Sequence, residues 1–377
     1  MKTSERIFSK LRELIHSEEF KLKHRLSEKS FVRKCILSFS FLVVFILNQL
    51  KKSNASEIDS SNSYLNHIKK FTNSALSKAR LKLSSEVFIE LNDVLIEEFY
   101  NKKSNLIYFF GLIVLGIDGS KFQLPESNQI KSRYGGISNQ TDIQMNMAQG
   151  SQLVDVNNGI VLHSLICPCK TSEKDLAILH INKIIERRNK ITNLANSIVL
   201  FDRGYPSVLM ICKLYYNKIE YLMRSSKGFL KLVNDVLLSG KKDEIIQIDL
   251  KKIPKSDREE ILKECPGLDL NKKILVRVII VTLDTGEQEI LLTSLLDQKR
   301  YKYKKFKEFY ALRWGAETIY GLEKIRWEME NFSGKSQIAI EQDYFATILN
   351  LNMTTILAIE AKKELDKSKE IEHRKYE

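Results

Sequence analysis

Residues 106–120 read LIYFFGLIVLGIDGS, an apolar run that ends in an acid and a glycine. The run is too apolar and too rich in β-branched residues for a surface helix, so its second half is predicted to form a buried strand. Gly119 after Asp118 is typical of a turn. This interpretation places Asp118 at the end of the strand, where α/β proteins commonly carry functional side chains.

A hairpin is predicted immediately downstream. Within Gln152 to Ile166, the runs QLVDV and IVLHSLI flank 157–159 (NNG), residue types that tolerate the positive φ of a tight turn. Ser172 and Asp175 then match a capping box, which predicts a helix. Two further strands and then a helix are therefore predicted after the strand that carries Asp118.

A second acid follows a second buried strand. Ser197 to Phe201 (SIVLF) is short and apolar, and Asp202 begins its exit in the sequence DRGY. Pro206 suits the first turn of a following helix, and 219–223 (IEYLM) indicates one more strand. The predicted order β-β-β-α-β-α-β is that of an α/β fold with a mixed sheet flanked by helices.

The pattern changes outside this central region. The N-terminal hundred residues show helical periodicity, interrupted by a polar loop at 51–63. The apolar run 36–47 falls short of the roughly 20 residues that span a bilayer, so a buried helix is predicted. Alternating strands at 245–250, 274–283 and 289–296 indicate a β-rich insertion. The resulting division is 1–100, a helical N-terminal region; 101–226, the first part of the core; 227–303, the insertion; 304–343, a helical part completing the core; and 344–377, a C-terminal helix and charged tail.

Composition narrows the class of protein. Of 377 residues, 60 are basic and 47 acidic, which gives a net charge of +13 and suits an acidic polymer or an anionic membrane surface. The N-terminus shows no secretory signal, so a cytoplasmic protein is expected. Five cysteines form no C-x2-C pair and the six histidines show no ligand spacing, which disfavours zinc chemistry.

A third polar motif lies near the C-terminus, in YALRWGAETIYGLEK at 310–324. On one continuous helix, Arg313, Glu317 and Lys324 would lie at about 300°, 340° and 320° from Tyr310. A cation, an acid, a cation and a phenol on one narrow face suit a surface that meets phosphates and contributes a carboxylate to a metal ion.

Taken together, the motifs DGS at 118–120, DRGY at 202–205 and Y-x2-R-x3-E-x6-K at 310–324 resemble those of DDE-class insertion-sequence transposases, specifically insertion-sequence family four. The resemblance covers roughly residues 72–335, including the basic segment SALSKARLK at 74–82 and FSG at 332–334. It implies a ribonuclease-H-like core and an enzyme that cuts transposon ends and joins them to target DNA.

The same resemblance implies roles for individual residues. Asp118, Asp202 and Glu317 would be the catalytic acids and would bind two Mg²⁺ or Mn²⁺ ions, since two ions about 4 Å apart can activate the attacking oxygen and stabilise the leaving one. The DNA-contacting residues would be Tyr310, Arg313, Lys324, Trp314, Arg80 and Lys82. Packing under the sheet is the stronger expectation for Trp314, with base stacking as the alternative.

The resemblance further implies partners and a place of action. Transposon-end DNA and target DNA would be bound by a homodimer, associated with the bacterial nucleoid and not with a membrane, and the helices before Glu86 would read the transposon end. Two alternatives stay open: a ribonuclease-H-like nuclease without strand transfer, and a catalytically silent DNA-binding protein derived from a transposase.

Overall fold

The computed structural model describes residues 2–49, 56–59, 71–101, 106–138 and 144–375, with side chains described as far as residue 366. Most of the polar loop predicted at 51–63 lies outside these residues, although 56–59 are helical. No helix in the described part of the chain combines the length and the apolar character needed to cross a bilayer.

Helices dominate the described part of the first hundred residues, as predicted. Their bounds are Thr3–His16 (α1), Glu18–His24 (α2), Phe39–Leu47 (α3), Asn73–Arg80 (α4) and Glu86–Tyr100 (α5). The apolar run is the buried helix α3, which begins where the Ser38 hydroxyl accepts a hydrogen bond from the Phe41 amide. Leu42 and Val43 are fully buried in it and belong to the same apolar core as strands of the sheet. The helical region is therefore packed onto the rest of the chain.

In the described part of the chain, one mixed sheet of nine strands forms the centre of the molecule. The strands are Ile113–Gln123 (β1), Gly136–Ser138 (β2), Gln144–Asp155 (β3), Ile160–Pro168 (β4), Ser197–Phe201 (β5), Glu220–Ser225 (β6), Asp243–Asp249 (β7), Lys273–Thr282 (β8) and Gln288–Thr293 (β9). Across the sheet the order is β4-β3-β1-β5-β6-β9-β8-β7, and β2 pairs with the start of β3. Strands β1, β3 and β4 are antiparallel, whereas β1, β5 and β6 are parallel.

The prediction that Asp118 ends its strand is wrong. β1 continues to Gln123 because β3 is longer than the predicted hairpin arm and pairs with it throughout, with Asp118 opposite Gln152 and Gly119 opposite Ser151. The aspartate and glycine are therefore extended ladder residues and do not form a turn. A tight turn with a positive φ does form at Gly159, in the predicted turn between β3 and β4, where φ is 68°.

The remaining helices flank or follow the sheet. They are Asn128–Tyr134 (α6), Glu173–Arg188 (α7), Val208–Tyr216 (α8), Lys231–Leu238 (α9), Lys255–Glu264 (α10), Phe306–Ala311 (α11), Trp314–Ile325 (α12) and Gln337–Lys375 (α13). The predicted capping box of α7 is not formed, because the Ser172 side chain caps nothing. Pro206 lies just before α8, whose cap is the Ser207 hydroxyl bonded to the Met210 amide.

The predicted β-rich insertion contains its three strands but does not stand apart from the central sheet. β9 pairs antiparallel with β6, so β7, β8 and β9 extend the sheet beyond its parallel half. Arg277 on β8 is fully buried and forms two hydrogen bonds to Asp243 at the start of β7, both at 2.7 Å. The chain returns from this extension directly into α11 and α12.

Candidate active site

The two strand acids are neighbours because their strands are neighbours. β1 and β5 run parallel with Ile113 opposite Ser197 and Gly116 opposite Leu200. Extending this register by two residues brings Asp118 opposite Asp202, directly beyond the end of β5. The strand β5 has the bounds predicted from the sequence, so the position of Asp202 follows from local pattern, while its neighbour depends on the parallel pairing.

Helix α12 reaches the same place because two glycines let it approach the sheet closely. A Cβ on Gly116 would lie 3.2 Å from the Ala316 Cβ, and one on Gly315 would lie 2.9 Å from the Val156 Cβ. The Tyr320 hydroxyl donates a hydrogen bond to the Asp118 carbonyl oxygen at 3.0 Å, which fastens the helix to β1. Glu317, one turn earlier on α12, thereby faces the strand acids.

The electrostatics of Asp118 show that the carboxylates converge. Burial is the largest effect on its side chain and raises its pKa to about 6, and the negative charges of Glu317 and Glu173 add to this. The Gly119 amide and the Arg313 guanidinium act in the opposite direction. The shift is therefore caused mainly by burial, and the neighbouring charges, two acids and one arginine, act on Asp118 in opposite directions.

Arg313 is the buried cation of this site. Its side chain is 4% exposed, and its Nη2 lies 2.7 Å from Oε1 of Glu317. The guanidinium lies over the rings of Tyr310 and Trp314, at 6.0 and 4.9 Å from their centroids. Its Nε and Nη1 are buried and have no hydrogen-bond partner. Two unpaired buried donors are costly, and an anion bound beside them would satisfy both.

The predicted polar helix face is only partly retained. The helix is interrupted between Ala311 and Trp314, yet Tyr310 still reaches the site, with its hydroxyl 3.3 Å from Oδ1 of Asp202. Lys324 points elsewhere, donating to the Lys121 carbonyl oxygen at 2.7 Å, three residues beyond Asp118 on β1. Tyr310 and Arg313 therefore lie at the acids, whereas Lys324 lies further along β1.

Trp314 is not buried as expected. It is 60% exposed at the start of α12, which leaves one face of the indole available for stacking. The expected packing under the sheet fails because the interruption before α12 turns this side chain outward, away from the faces occupied by Ala316 and Ile319.

Arg80 and Lys82, both predicted to contact DNA, have different surroundings. Arg80 is 3% exposed and bonds through Nη2 to Asp343 at 2.6 Å and through Nε to Gln342 at 2.8 Å. Its guanidinium therefore joins α4 to α13, and this burial does not support a DNA contact. Lys82, two residues further along, is exposed.

Sequence reasoning missed several polar residues around the acids. Glu323 lies within the motif at 310–324 but was given no role there; it is fully buried, and burial raises its pKa to about 8. Tyr205 was quoted only as part of the DRGY motif, although its hydroxyl is buried beside the carboxylates without a partner. The DRGY spacing was the available signal for Tyr205, whereas nothing local in the sequence indicates burial of Glu323.

Two histidines that showed no ligand spacing also meet behind β3. The Nδ1 atoms of His163 and His180 are 2.9 Å apart, and Nε2 of His180 lies 3.0 Å from the Ser151 hydroxyl. Burial lowers the pKa of His163 to about 3, so the pair is neutral. Their contact joins β4 to α7, a pairing that sequence spacing could not indicate.

The donor chemistry at the acids fits a hard divalent cation, because the available ligands are carboxylate oxygens. Within the described residues, no group of three or more His, Cys, Asp or Glu side chains is gathered as tightly as one metal ion requires. Oε1 of Glu317 is held in an ion pair by Arg313.

Among curated proteins, none matches the chain significantly. Among solved structures, a piggyBac transposase in a synaptic complex with hairpin DNA is similar at 11% identity and a TM-score of 0.39, over 94% of this chain and 80% of that chain. A TM-score this low does not define a shared fold. The family model described as the transposase DDE domain matches residues 110–353, which is more than half of the chain and includes all three candidate acids. The chain therefore belongs to the transposase DDE domain family.

Proposed function

We propose that this protein is the DNA transposase of an insertion sequence related to family four, with Asp118, Asp202 and Glu317 as its catalytic acids. The observation that carries the proposal is the convergence of these acids: adjacent parallel strands supply two, and the close approach of α12 supplies the third. The strand order β4-β3-β1-β5-β6, with its antiparallel and parallel halves, supports a ribonuclease-H-like core. The family match supports the reaction class.

The three acids would hold two Mg²⁺ or Mn²⁺ ions. When bound, such ions activate the attacking oxygen and stabilise the leaving oxygen of a phosphodiester. The residues of the chain do the remaining work. Arg313 releases Glu317 and offers its unpaired Nε and Nη1 to a phosphate, and the Tyr310 hydroxyl holds the carboxylate of Asp202.

The substrate would be transposon-end DNA, cut by water to free a 3′ hydroxyl that then attacks target DNA at the same site. Lys324, Trp314 and Lys82 would contact the DNA outside the acids. The resemblance of the motifs to family four also predicts a homodimer on DNA and action at the bacterial nucleoid, and these remain predictions.

The test is cleavage of the element's own terminal DNA, taken from the flanks of its reading frame, by the full chain in Mg²⁺. Replacing Asp118, Asp202 or Glu317 by Ala should abolish cleavage while end binding is kept, because binding depends on separate basic contacts. Glu308→Ala is the matched control, since this exposed acid lies on α11 and pairs only with Lys305 among the described contacts. Cleavage by all three variants would contradict the proposal.

Strand transfer separates this function from a nuclease of the same fold. Wild-type protein should join a pre-cut 3′ end to a second duplex, and the Asp118→Ala variant should not. Products that stop at hydrolysis would favour the nuclease, and end binding without any cleavage would favour the silent DNA-binding protein.

A further inference from the structure

A run of basic and aromatic residues leads from β9 into α11 and has no part in the proposed mechanism. Residues 299–307 read KRYKYKKFK, with six cations, three aromatic rings and no acid. All six cations are exposed, whereas Tyr301 and Phe306 are buried and Tyr303 is partly buried. This basic segment therefore turns its charges to solvent and its rings to the protein.

The rings hold the basic segment in a fixed position. Tyr301 and Phe306 belong to the same apolar cluster as residues of the central sheet. The Tyr303 hydroxyl donates a hydrogen bond to the Ile280 carbonyl oxygen on β8 at 3.2 Å, and the buried Arg277 guanidinium lies 5.0 Å from the centroid of the Phe306 ring. A backbone that is ordered in advance loses little conformational entropy when a ligand binds. The cations are therefore presented on a preorganised surface.

Acids neutralise only one end of the basic segment. Lys305 pairs with Glu308 at 2.8 Å, and Lys307 pairs with Asp284. The carboxylate of Asp297, just before the segment, accepts hydrogen bonds from two of its backbone amides at 3.0 Å. Among the described residues, the other four cations form no ion pair with an acid; they are Lys299, Arg300, Lys302 and Lys304. These four unpaired cations create a local positive potential that attracts a polyanion.

The basic segment lies close along the chain to Trp314, which is 60% exposed at the start of α12. The intervening helix α11 has six residues and therefore spans only about 9 Å. Phosphates follow one another about every 3.4 Å along each strand of a duplex. A duplex that passed Trp314 would therefore reach the basic segment within a few base pairs.

We propose that the four unpaired cations bind the phosphates of duplex DNA, whatever its sequence. Contacts from lysine and arginine to phosphate fix the position of a protein on DNA but carry no sequence information. Each neutralised phosphate releases condensed counterions, which makes such binding dependent on salt. The inference requires DNA as a partner but neither a metal ion nor cleavage at the acids, so it goes beyond the proposed function.

The burial of the rings favours DNA over the other polyanion that suits a basic protein, an anionic membrane. A segment that lies on a membrane inserts aromatic and aliphatic side chains into the lipid interface beside its cations. Tyr301 and Phe306 are only 7% and 1% exposed, so these rings are not available for insertion. The surface offers mainly charge, which matches a phosphate backbone.

The test measures binding of the full chain to a labelled random-sequence duplex over a range of salt concentrations. The test variant replaces the four unpaired cations by Gln, which keeps most of the side-chain length. Its slope of log affinity against log salt should be smaller than that of the wild type by about 2–4, because each phosphate contact contributes roughly 0.9. Lys302→Gln alone should reduce the slope by about 0.9. Unchanged slopes in both variants would overturn the inference.

A control variant with the same loss of charge separates local contact from net charge. It replaces four exposed lysines of the insertion that also form no ion pair among the described residues: Lys251, Lys252, Lys272 and Lys273. Both fourfold variants lower the net charge of +13 by four, yet the slope of the control should fall by less than about 1. Equal reductions in the two would show that only net charge acts and would overturn the inference. Melting temperatures should match the wild type, because only exposed side chains change. If the fourfold test variant melts earlier, Lys302→Gln decides.

Two further ligands test the kind of partner. The element's terminal DNA should lose affinity for the test variant by the same factor as the random duplex, and a loss confined to terminal DNA would show sequence reading and overturn the inference. Vesicles of phosphatidylserine and phosphatidylcholine are the membrane ligand. Loss of vesicle binding with retained duplex binding would identify a lipid surface as the partner, against the inference.

The outcomes also separate this inference from the proposed function. Duplex binding that depends on the four unpaired cations, in a chain that does not cleave terminal DNA, would support the inference and contradict the proposed function. Wild-type duplex binding by the test variant, in a chain that does cleave, would leave the proposed function intact and overturn the inference.

Discussion

Gln152 donates a hydrogen bond from Nε2 to each carboxylate oxygen of Glu323, at 2.9 and 2.8 Å. Gln152 is also the cross-strand neighbour of Asp118. The pair therefore links the last turn of α12 to the strand beside the candidate acids. Burial raises the pKa of Glu323 to about 8, although Gln152 and Lys324 act against this shift.

This pair predicts a pH dependence of stability. The folded pKa of Glu323 lies above the ordinary value of 4.5, so the folded chain holds a proton that the unfolded chain releases between 4.5 and about 8. The free energy of unfolding should fall as pH rises through this range. Glu323→Gln cannot ionise, so at pH 9 its free energy of unfolding should exceed that of the wild type by up to about 5 kcal/mol, with little difference at pH 4. Urea unfolding at both values measures this, and Glu308→Gln is the exposed control. Equal pH slopes for the Glu323→Gln variant and the wild type would contradict the prediction.

Arg80 should be needed for stability and not for DNA contact. Replacing it by Ala leaves Asp343, whose side chain is fully buried, without its cation. The free energy of unfolding should fall by about 3–5 kcal/mol. Lys78→Ala, on an exposed position of the same helix, should change it little. Wild-type stability together with loss of end binding in Arg80→Ala would instead support the DNA contact predicted from the sequence.

Lys324 and Arg313 should differ in their effects on DNA binding. Lys324→Ala should weaken binding to any sequence and reduce the slope of log affinity against log salt by about 0.9, the contribution of one neutralised phosphate. Lys255→Ala, an exposed lysine in the insertion with no role in the proposal, should leave the slope unchanged. Arg313→Lys should reduce cleavage even though the charge is kept, because an ammonium cannot reproduce the planar contacts of a guanidinium. Salt-titrated binding and single-turnover cleavage measure the two effects.

Trp314 should contribute to DNA binding without supporting the fold. Its 60% exposure means that Trp314→Ala should change stability by less than about 1 kcal/mol. Loss of a stacked base would weaken binding of end DNA by about 1–3 kcal/mol. Ile325→Ala removes another exposed apolar side chain from the end of the same helix and is the control. Equal affinities of Trp314→Ala and Ile325→Ala for end DNA would exclude stacking of Trp314 on a base.

The sequence predicted well those features that depend on neighbouring residues. The strand at 197–201 has its predicted bounds, because a short apolar run between turn signals leaves few alternatives. Asp118 was placed wrongly because Gly119 was attributed to a turn. The structure gives that glycine another reason: a Cβ there would lie 2.7 Å from Nε2 of Gln149, a residue from β3. Nothing near Gly119 in the sequence reveals this contact.

Contacts with residues distant in the sequence also determine the surroundings of Glu323. Its hydrogen-bond partner Gln152 is 171 positions away in the sequence, so no local pattern indicates that Glu323 is buried. The carboxylates themselves were found because their motifs are local, whereas the groups that set their surroundings come from other elements. Tyr205 is intermediate, since the motif names it but only the packing shows its unpaired hydroxyl.

The return of the chain through β9 has a consequence for synthesis on the ribosome. Both strand aspartates emerge early, but Glu317 follows only after the sheet has been extended through β7, β8 and β9. A nascent chain that has folded as far as β6 holds two of the three acids and also exposes the edge to which β9 must bind. With the proposed catalytic acids, cleavage would have to wait for the last quarter of the polypeptide, and we expect a product shortened by a premature stop codon before α12 to keep the N-terminal helices but not to cut DNA.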